Sequence, residues 1–390
     1  MNTRCPGCGV GGGRTFLELA QVPVFCNVLW PSRDEALAAG RADIALTACG
    51  GCGLIHNAAF DPRLLRYTPD YENPLHHSPR FRRYAAALAE RLVEGYALAG
   101  KSIVEIGCGD GAFLAALCKL GGSRGFGFDP GYRPDESAAG CPEAVTIVAE
   151  PYSRAHARLP ADFVCCRHVL EHVAAPVEFL TELREIIGGR RGTSVFFEVP
   201  NALHMLRGLG IWDIIYEHCS YFTPASLTNA FVRAGFEPTR VAEAYEGQFL
   251  TVEARPADGW GGPDRPRADA QLQGLLARFA GAYRDKSARW LERLLQFKRE
   301  GARVAVWGGG SKGVSFLNAL PAGEVLVEYV VDLNPRKQGR FVAGTAQQVV
   351  GPDFLRHHRP DVVVVMNPIY RDEIRRMLAE VAVDAELVVA

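Results

Sequence analysis

No run in this 390-residue chain is apolar for long enough to cross a bilayer: the longest aliphatic stretch, VVVVM at 362–366, falls far short of the ~20 residues a spanning helix needs. An excess of charge of one sign is missing too. The 43 Lys and Arg against 44 Asp and Glu leave a formal net charge of −1, so the chain has no general attraction for polyanions, and nucleic acid is not an expected partner. The beginning, MNTRCPGCG, lacks the apolar core of a secretion signal, and no internal repeat or low-complexity segment stands out. A reducing cytoplasm is therefore expected, and the 11 cysteines are not expected in disulfides. What remains is a globular composition, 48% hydrophobic and 22% charged, with room for two or three domains.

Four of the cysteines are ordered. Cys5-Pro-Gly-Cys8 and Cys49-Gly-Gly-Cys52 are C-x-x-C turns on either side of residues 9–48. Small residues in each turn let both thiolates face one cation. Two such pairs complete a tetrahedral four-sulfur site, closed and therefore structural. Zinc held by Cys5, Cys8, Cys49 and Cys52 is the expectation, and in so small a segment it would supply much of the stability. Cys26, in VPVFCNVLW, has no partner turn and is expected to be buried.

Residues 101–114 read KSIVEIGCGDGAFL. A β-rich run ends in Gly107-Cys108-Gly109-Asp110-Gly111 and passes into an apolar helix start. That is the first strand-to-helix turn of a doubly wound sheet, where glycines let a ligand approach the helix N-terminus. Such a string serves NAD as well as other nucleoside cofactors. A second strand, GFGFDP, ends in Asp129, an acid able to accept both ribose hydroxyls of either. No second phosphate-binding feature follows, and S-adenosylmethionine carries no phosphate. Its sulfonium and ammonium groups suit an acidic rim of Glu105 and Asp110, which makes it the expected cofactor.

The elements continue in a recognisable order. ADFVCCRHVLEHV (161–173) reads as a strand running into His168, Glu171 and His172, followed by a helix, EFLTELREIIGG, and a strand, SVFFEVPN, carrying Glu198. On these motifs the chain resembles class I S-adenosylmethionine-dependent methyltransferases, in which E-x-G-x-G-x-G and a VLEH segment recur. The resemblance implies an α/β, Rossmann-like core with cofactor contacts at Gly107, Gly109 and Asp129 and a loop supported by Glu105. Arg167 and His168 would lie near the methionine part of the cofactor or the substrate, with a helix-capping pair as the alternative for His168 and His172. Glu150, in VAEPY, is expected on the adenine side.

DIIYEHCSYFT (213–223) follows the fifth strand, at the carboxyl edge where ligands bind in such sheets. Thr223-Pro224 opens a new helix, so this stretch is expected to be a loop. It is similar to the Y-H-E-H-x-x-Y signature of the nucleotide-deoxysugar C-methyltransferases, which join a four-cysteine zinc domain, a methyltransferase core and a second Rossmann-like domain in this order. VAVWGGGSKGVSFLNAL (304–320), VVDLNPRKQGRFVAGT (330–345) and PDVVVVMNPIYRDEI (360–374) resemble that family's last domain, so the likeness covers nearly the whole chain. It implies methylation of carbon beside a carbonyl in a keto sugar or similar metabolite: a base, falling on His218, removes the acidic proton, and the enolate carbon takes the methyl. Glu217 would assist the imidazole, Tyr216 and Tyr221 would donate to the enolate oxygen, and Tyr71 would touch the substrate.

The chain also departs from that family. Aligned on Glu217-His218, the signature's leading Tyr falls on Ile215 and its first His on Tyr216. A G-G-S-L-R stretch falls on Gly247-Gln248-Phe249-Leu250-Thr251, without the arginine, and a Y-x-Y-x-S-S motif is matched only in part around Tyr67, Tyr71 and Ser78. Base and methyl donor are kept while contacts to a nucleotide-linked sugar are reduced, which leaves the acceptor open. An O- or N-methyltransferase of a small natural product, and a non-catalytic scaffold binding zinc and S-adenosylmethionine, stand as alternatives.

Residues 1–62 are expected to form the zinc module. Residues 63–100 would connect it through SPRFRRYAAALAERLVEGYALAG, a helix whose arginines face solvent. The methyltransferase core would span 101–255, a Pro/Gly-rich linker and long helix 256–300, and the second Rossmann-like domain 301–390. In the last, Gly308-Gly309-Gly310-Ser311-Lys312-Gly313 lacks the Walker spacing. With Asp332 ending the next strand it reads as another Rossmann-like turn, in which Lys312 would meet a phosphate or other anion. The expected partner is a small molecule, and the expected state a monomer or weak homo-oligomer.

Overall fold

The computed structural model describes residues 4–65, 70–71, 74–133, 143–258, 270–320 and 326–390; Tyr67 and most of the linker at 255–269 lie outside them. Near the beginning, Arg14–Pro23 (β1) alternates exposed positions with inward Leu17, and pairs antiparallel with Arg41–Ala48 (β2), which Ile55–Asn57 (β3) extends. The central strands are of another kind. Ser102–Ile106 (β4), Arg124–Phe128 (β5), Val145–Val148 (β6), Phe163–Arg167 (β7) and Ser194–Pro200 (β8) are short, and β4, β7 and β8 are buried almost end to end. Continuous apolar runs of this sort mark a parallel sheet covered on both faces. The helices Ala112–Gly121, Pro176–Ile187 and Pro224–Arg233 do the covering, and the last starts with Thr223 and Ser226 capping one another.

Ser220–Tyr221 (β9) leaves this sheet and pairs with β3, so the stretch expected to be a plain loop is stitched into the first sheet. The hairpin Phe236–Ala244 (β10) and Phe249–Pro256 (β11) then completes a seven-stranded sheet of order β10-β11-β8-β7-β4-β5-β6. Only β11 runs against the others, pairing antiparallel with β10 on one side and β8 on the other. The thirty-residue helix Ala270–Arg299 packs on β1 and leads to the last sheet. That sheet is wholly parallel: Val304–Trp307 (β12), Tyr329–Val331 (β13), Gln348–Val350 (β14), Val362–Val365 (β15) and Glu386–Val389 (β16), in the order β14-β13-β12-β15-β16. Chain order reverses beside β4 in one sheet and beside β12 in the other, and each reversal opens a crevice at the carboxyl edge.

The helix Pro79–Gly95 is amphipathic and capped by Ser78, but its arginines do not all face solvent. Arg82 and Arg83 do. Arg80 reaches Glu246 and Arg91 reaches Glu253, because their long stems lie along the hairpin before the charge finds its partner. Among the described residues no helix is long and apolar enough to cross a membrane.

Candidate active site

β4 runs straight into the glycine loop. Gly107, Gly109 and Gly111 adopt φ of 69°, 56° and 80°, the left-handed region. The Asp129 carboxylate at the end of β5 gathers the loop, accepting from Gly109 N at 2.9 Å and from Gly131 N at 2.7 Å. A Cβ on Gly107 would sit 2.2 Å from Val169 Cγ2, whereas one on Gly109 would meet nothing within 4 Å. The loop is thus pressed against the segment after β7 on one side and open on the other. Glu105 lies buried behind it, its Oε2 without a hydrogen-bond partner among the described residues. Burial pushes its carboxyl up to about 8, although Arg167 pulls the other way. Asp110 stands at the rim, 3.7 Å from His76 Nδ1, and Glu150 pairs with His156 Nε2 at 2.8 Å beyond β6. An open, acid-rimmed cradle with an orphaned buried carboxyl oxygen fits a cationic nucleoside. Gly107, Gly109 and Asp129 are the groups that would hold S-adenosylmethionine.

A cavity of about 290 Å³ lies where the carboxyl edges of the two parallel sheets meet. His168, Glu171, Asn201, His218 and Tyr221 line it from the core; Gly308, Lys312, Asp332, Lys337 and Asn367 line it from the second Rossmann-like sheet. Side-chain pairs fasten the two halves around it. Gln248 and Asn367 exchange amide hydrogen bonds of 2.8 and 3.2 Å, and Tyr245 donates to Tyr370 at 2.8 Å. The turn after β12 repeats the device seen after β4: Gly309 N donates to Asp332 Oδ2 at 2.8 Å, and buried Lys337 reaches Gly309 O at 3.2 Å.

The core wall of the cavity is a charged network. Arg167 donates twice to Glu198 Oε1, at 2.8 and 3.1 Å, and Tyr84 donates to the other oxygen. Burial alone would raise the Glu198 carboxyl, but Arg167, with His168 and Tyr84 behind it, outweighs burial and holds it down at about 2. His168 stands next to this ion pair in a left-handed conformation, φ 57°. Its Nε2 is 3.0 Å from Glu198 Oε1 and its Nδ1 is 3.8 Å from Glu171 Oε1. Glu171 is 2% exposed, with Oε2 unpartnered among the described residues, and burial pushes it up to about 8. His172 Nδ1 lies 3.1 Å from Glu217 O, and burial lowers its pKa to about 4. The His172 and His218 rings meet edge to face at 4.9 Å.

The sequence-derived site residues separate on this map. His168, His218, Tyr221 and Lys312 reach the cavity. Lys312 spends its charge on Asp213. Tyr221 exchanges bonds of 3.1 and 3.2 Å with Ile215 O and N, so its phenol is engaged within its own loop. Glu217 turns away: its Oε1 accepts from Cys26 N at 2.8 Å and Asn27 N at 3.3 Å. Tyr216 faces the first domain too, accepting from Asp61 N at 2.8 Å. Tyr71 accepts from Asn27 Nδ2 at 3.2 Å and stands edge-on to His172. Of the family-like stretch 247–251, Gln248 and Phe249 reach the cavity, and Thr251 bonds Ala242 O inside the hairpin. Sequence reasoning missed Asn27, Lys337 and Asn367. Lys337 follows the Asp332 strand end closely enough to have been noticed, but nothing in the chain marks the other two.

The four cysteines converge. Their sulfurs all lie within 4.8 Å of one another, with Cys5–Cys52 at 3.5 Å and Cys8–Cys49 at 3.4 Å. Tetrahedral bonds of ~2.3 Å imply edges near 3.8 Å, so the donor set fits a zinc-sized ion. Cys26 is buried.

Two family models match the chain, one for a methyltransferase domain over residues 76–241 and one for a C-methyltransferase C-terminal domain over residues 267–390. The C-methyltransferase NovU of Streptomyces niveus is 27% identical over 396 residues, covering 95% of this chain and 90% of its own. Among solved structures, magnesium protoporphyrin IX methyltransferase from Synechocystis PCC 6803, with bound SAH, is similar at 18% identity and a TM-score of 0.35, over 45% of this chain and 84% of that one. The 1,6-didemethyltoxoflavin-N1-methyltransferase of Burkholderia thailandensis is similar at 16% identity and a TM-score of 0.36, over 55% of this chain and 96% of that one.

Proposed function

We propose that this class I S-adenosylmethionine-dependent methyltransferase adds its methyl group to carbon, beside the carbonyl of a keto sugar or similar small metabolite. Carbon as the acceptor is supported by the C-methyltransferase C-terminal domain match and by the relative that shares 27% of its residues over nearly the full length. The observation that carries the mechanism is His218, whose ring stands in the cavity wall. The segment beside it touches the glycine loop through Val169 and the cavity through His168 and Glu171.

When held at Gly107, Gly109 and Asp129, S-adenosylmethionine supplies an electrophilic methyl on a sulfonium. The chain's own groups prepare the acceptor. Burial keeps the His218 imidazole neutral, pushing its pKa well below the usual range, and His172, His168 and Lys312 add to the effect. A neutral ring nitrogen can take the proton next to the carbonyl, leaving the electron pair delocalised onto oxygen as an enolate. At the other end of the cavity, Lys337 and the start of the helix Ser311–Asn318 favour an anionic group on the acceptor, such as the diphosphate of a nucleotide-linked sugar. Glu217 and Tyr216 fasten the His218 loop to Cys26, Asn27 and Asp61, and the Tyr221 phenol ties the loop to itself at Ile215. The four-cysteine cluster holds a structural zinc.

The test is product analysis. Incubation with nucleotide-linked keto sugars and S-adenosylmethionine labelled with ¹³C in the methyl should give a product whose label couples to carbon in two-dimensional NMR. Label on oxygen or nitrogen would contradict the reading.

A further inference from the structure

We propose that the carboxylic acid of Glu171 donates its O–H to the enolate oxygen, in the same cavity wall where His218 takes the α-proton. The inference rests on the carbon-methylation reading and supplies what that reading lacks, a hydrogen-bond donor for the negative charge that develops on oxygen. The groups first expected there are engaged elsewhere. Tyr216 and Tyr221 are tied to Asp61 and Ile215, and Lys312 is paired with Asp213.

Glu171 meets the requirement by position. It lines the cavity with His168 and His218, and one of its carboxyl oxygens lies within 4.8 Å of a ring nitrogen of His218. That spacing lets the carbonyl oxygen and the adjacent C–H of one small acceptor reach the acid and the base together. Its Oε2 has no partner, and neither Lys nor Arg forms an ion pair with it among the described residues. A carboxylate buried in this way would be costly, whereas a buried acid keeps its proton and has an O–H to offer. The surroundings agree. Arg167 and Tyr84 hold Glu198 as the anion, and its charge adds to burial in pushing Glu171 up to about 8. Two carboxyls driven apart by their environments take different roles, one a fixed charge and the other a donor. The remaining titratable groups around Glu171 are His168, with Nδ1 3.8 Å from Oε1, the His172 and His218 rings, and the Cys166 and Cys219 thiols. Burial leaves both of those rings and both thiols uncharged.

In the reaction the α-proton passes to His218, the C–H pair forms the carbon–carbon double bond, and the carbonyl π pair moves onto oxygen. Glu171 shares its proton with that oxygen and keeps it. When the enolate carbon takes the methyl, the carbonyl re-forms, the acid is unchanged, and His218 returns its proton to solvent.

Two variants of the full chain separate the roles: Glu171→Met removes the donor at similar volume, and Glu171→Gln keeps a neutral one. S-adenosylhomocysteine binding reports that each is folded. The first probe is 4-nitrophenolate, a planar oxyanion small enough for the cavity, followed by its absorbance. Its affinity should fall ~10–100-fold in Glu171→Met and far less in Glu171→Gln. In the wild type it should weaken as pH rises through about 8, where the donor loses its proton. The second probe is exchange of the α-hydrogen of a nucleotide-linked keto sugar in D2O. It should slow by ~10²–10³-fold in Glu171→Met, and the loss of rate above about pH 8 should disappear in Glu171→Gln. Equal phenolate affinity in wild type and Glu171→Met overturns the proposal. So does a wild-type exchange rate that rises through about pH 8, which would make the carboxylate itself the proton acceptor. Phenolate binding that depends on Glu171, without exchange of any keto sugar, would leave the oxyanion site standing and refute carbon methylation instead.

Discussion

Substituting Gly107 by alanine tests how the glycine loop is seated. The new Cβ would stand 2.2 Å from Val169 Cγ2, and the residue would be held at φ 69°. The left-handed conformation costs a residue with a Cβ ~1–2 kcal/mol. The overlap is with an aliphatic methyl wedged between the loop and the cavity wall, and such overpacking costs ~1–3 kcal/mol. The single variant should therefore lose about 2–5 kcal/mol in urea unfolding, and calorimetry should show weakened binding of S-adenosylhomocysteine because the loop has moved. Val169→Ala removes the offending methyl and leaves only Val169 Cβ, at an ordinary 3.5 Å. The double variant should recover the overpacking share, about 1–3 kcal/mol, and keep the backbone share. If the two substitutions add to within ~0.5 kcal/mol, the close packing of loop on wall is refuted.

Arg167→Met should destabilise the protein by ~3–5 kcal/mol in chemical denaturation, since it leaves the fully buried Glu198 without its main counter-charge; adding Glu198→Gln should return part of that loss. If the four cysteines hold an ion, Cys49→Ser should weaken the thiolate-to-cobalt charge-transfer bands of the cobalt-substituted protein and lower its melting temperature, because that ion would tie together both C-x-x-C turns. Glu105 is raised by burial to about 8, so below that pH it must give up a proton before it can counter a sulfonium. The affinity for S-adenosylmethionine relative to S-adenosylhomocysteine should thus climb as pH rises toward about 8 and level off above it, and the slope should vanish in Glu105→Gln; calorimetric titration across pH 6–9 would show it.

Local features were legible in the sequence where the chemistry is local. The C-x-x-C turns set their own thiolates, the glycines after β4 fix their own φ values, and Asp129 sits at the strand end that must face them. Thr223-Pro224 opened a helix for reasons contained in four residues. The His218 stretch was legible only in part. Its position after the fifth strand put His218 at the carboxyl edge, but nothing in YEHCSYF shows that Glu217 turns to the amides of Cys26 and Asn27, 191 and 190 residues away. Nor does it show that Ser220–Tyr221 pairs with β3. Side-chain direction there is set by a strand from another domain, which overrides what neighbours in sequence suggest. The same holds for Lys312: a glycine-rich turn announces an anion site, while the Asp213 that now neutralises it arrives from the core. Arg80 and Arg91 show the limit of amphipathic pattern, which marks the apolar stripe of a helix and leaves the reach of long cations unspecified.

Removal of a carbon-bound proton at the His218 wall of the cavity, as proposed above, has a direct readout. The most direct measurement incubates a nucleotide-linked keto sugar with the enzyme and S-adenosylhomocysteine in D2O, where no methyl can transfer, and follows the α-hydrogen by NMR. Wild-type protein should exchange that hydrogen for deuterium, and His218→Ala should not. Exchange undiminished in His218→Ala would contradict the account.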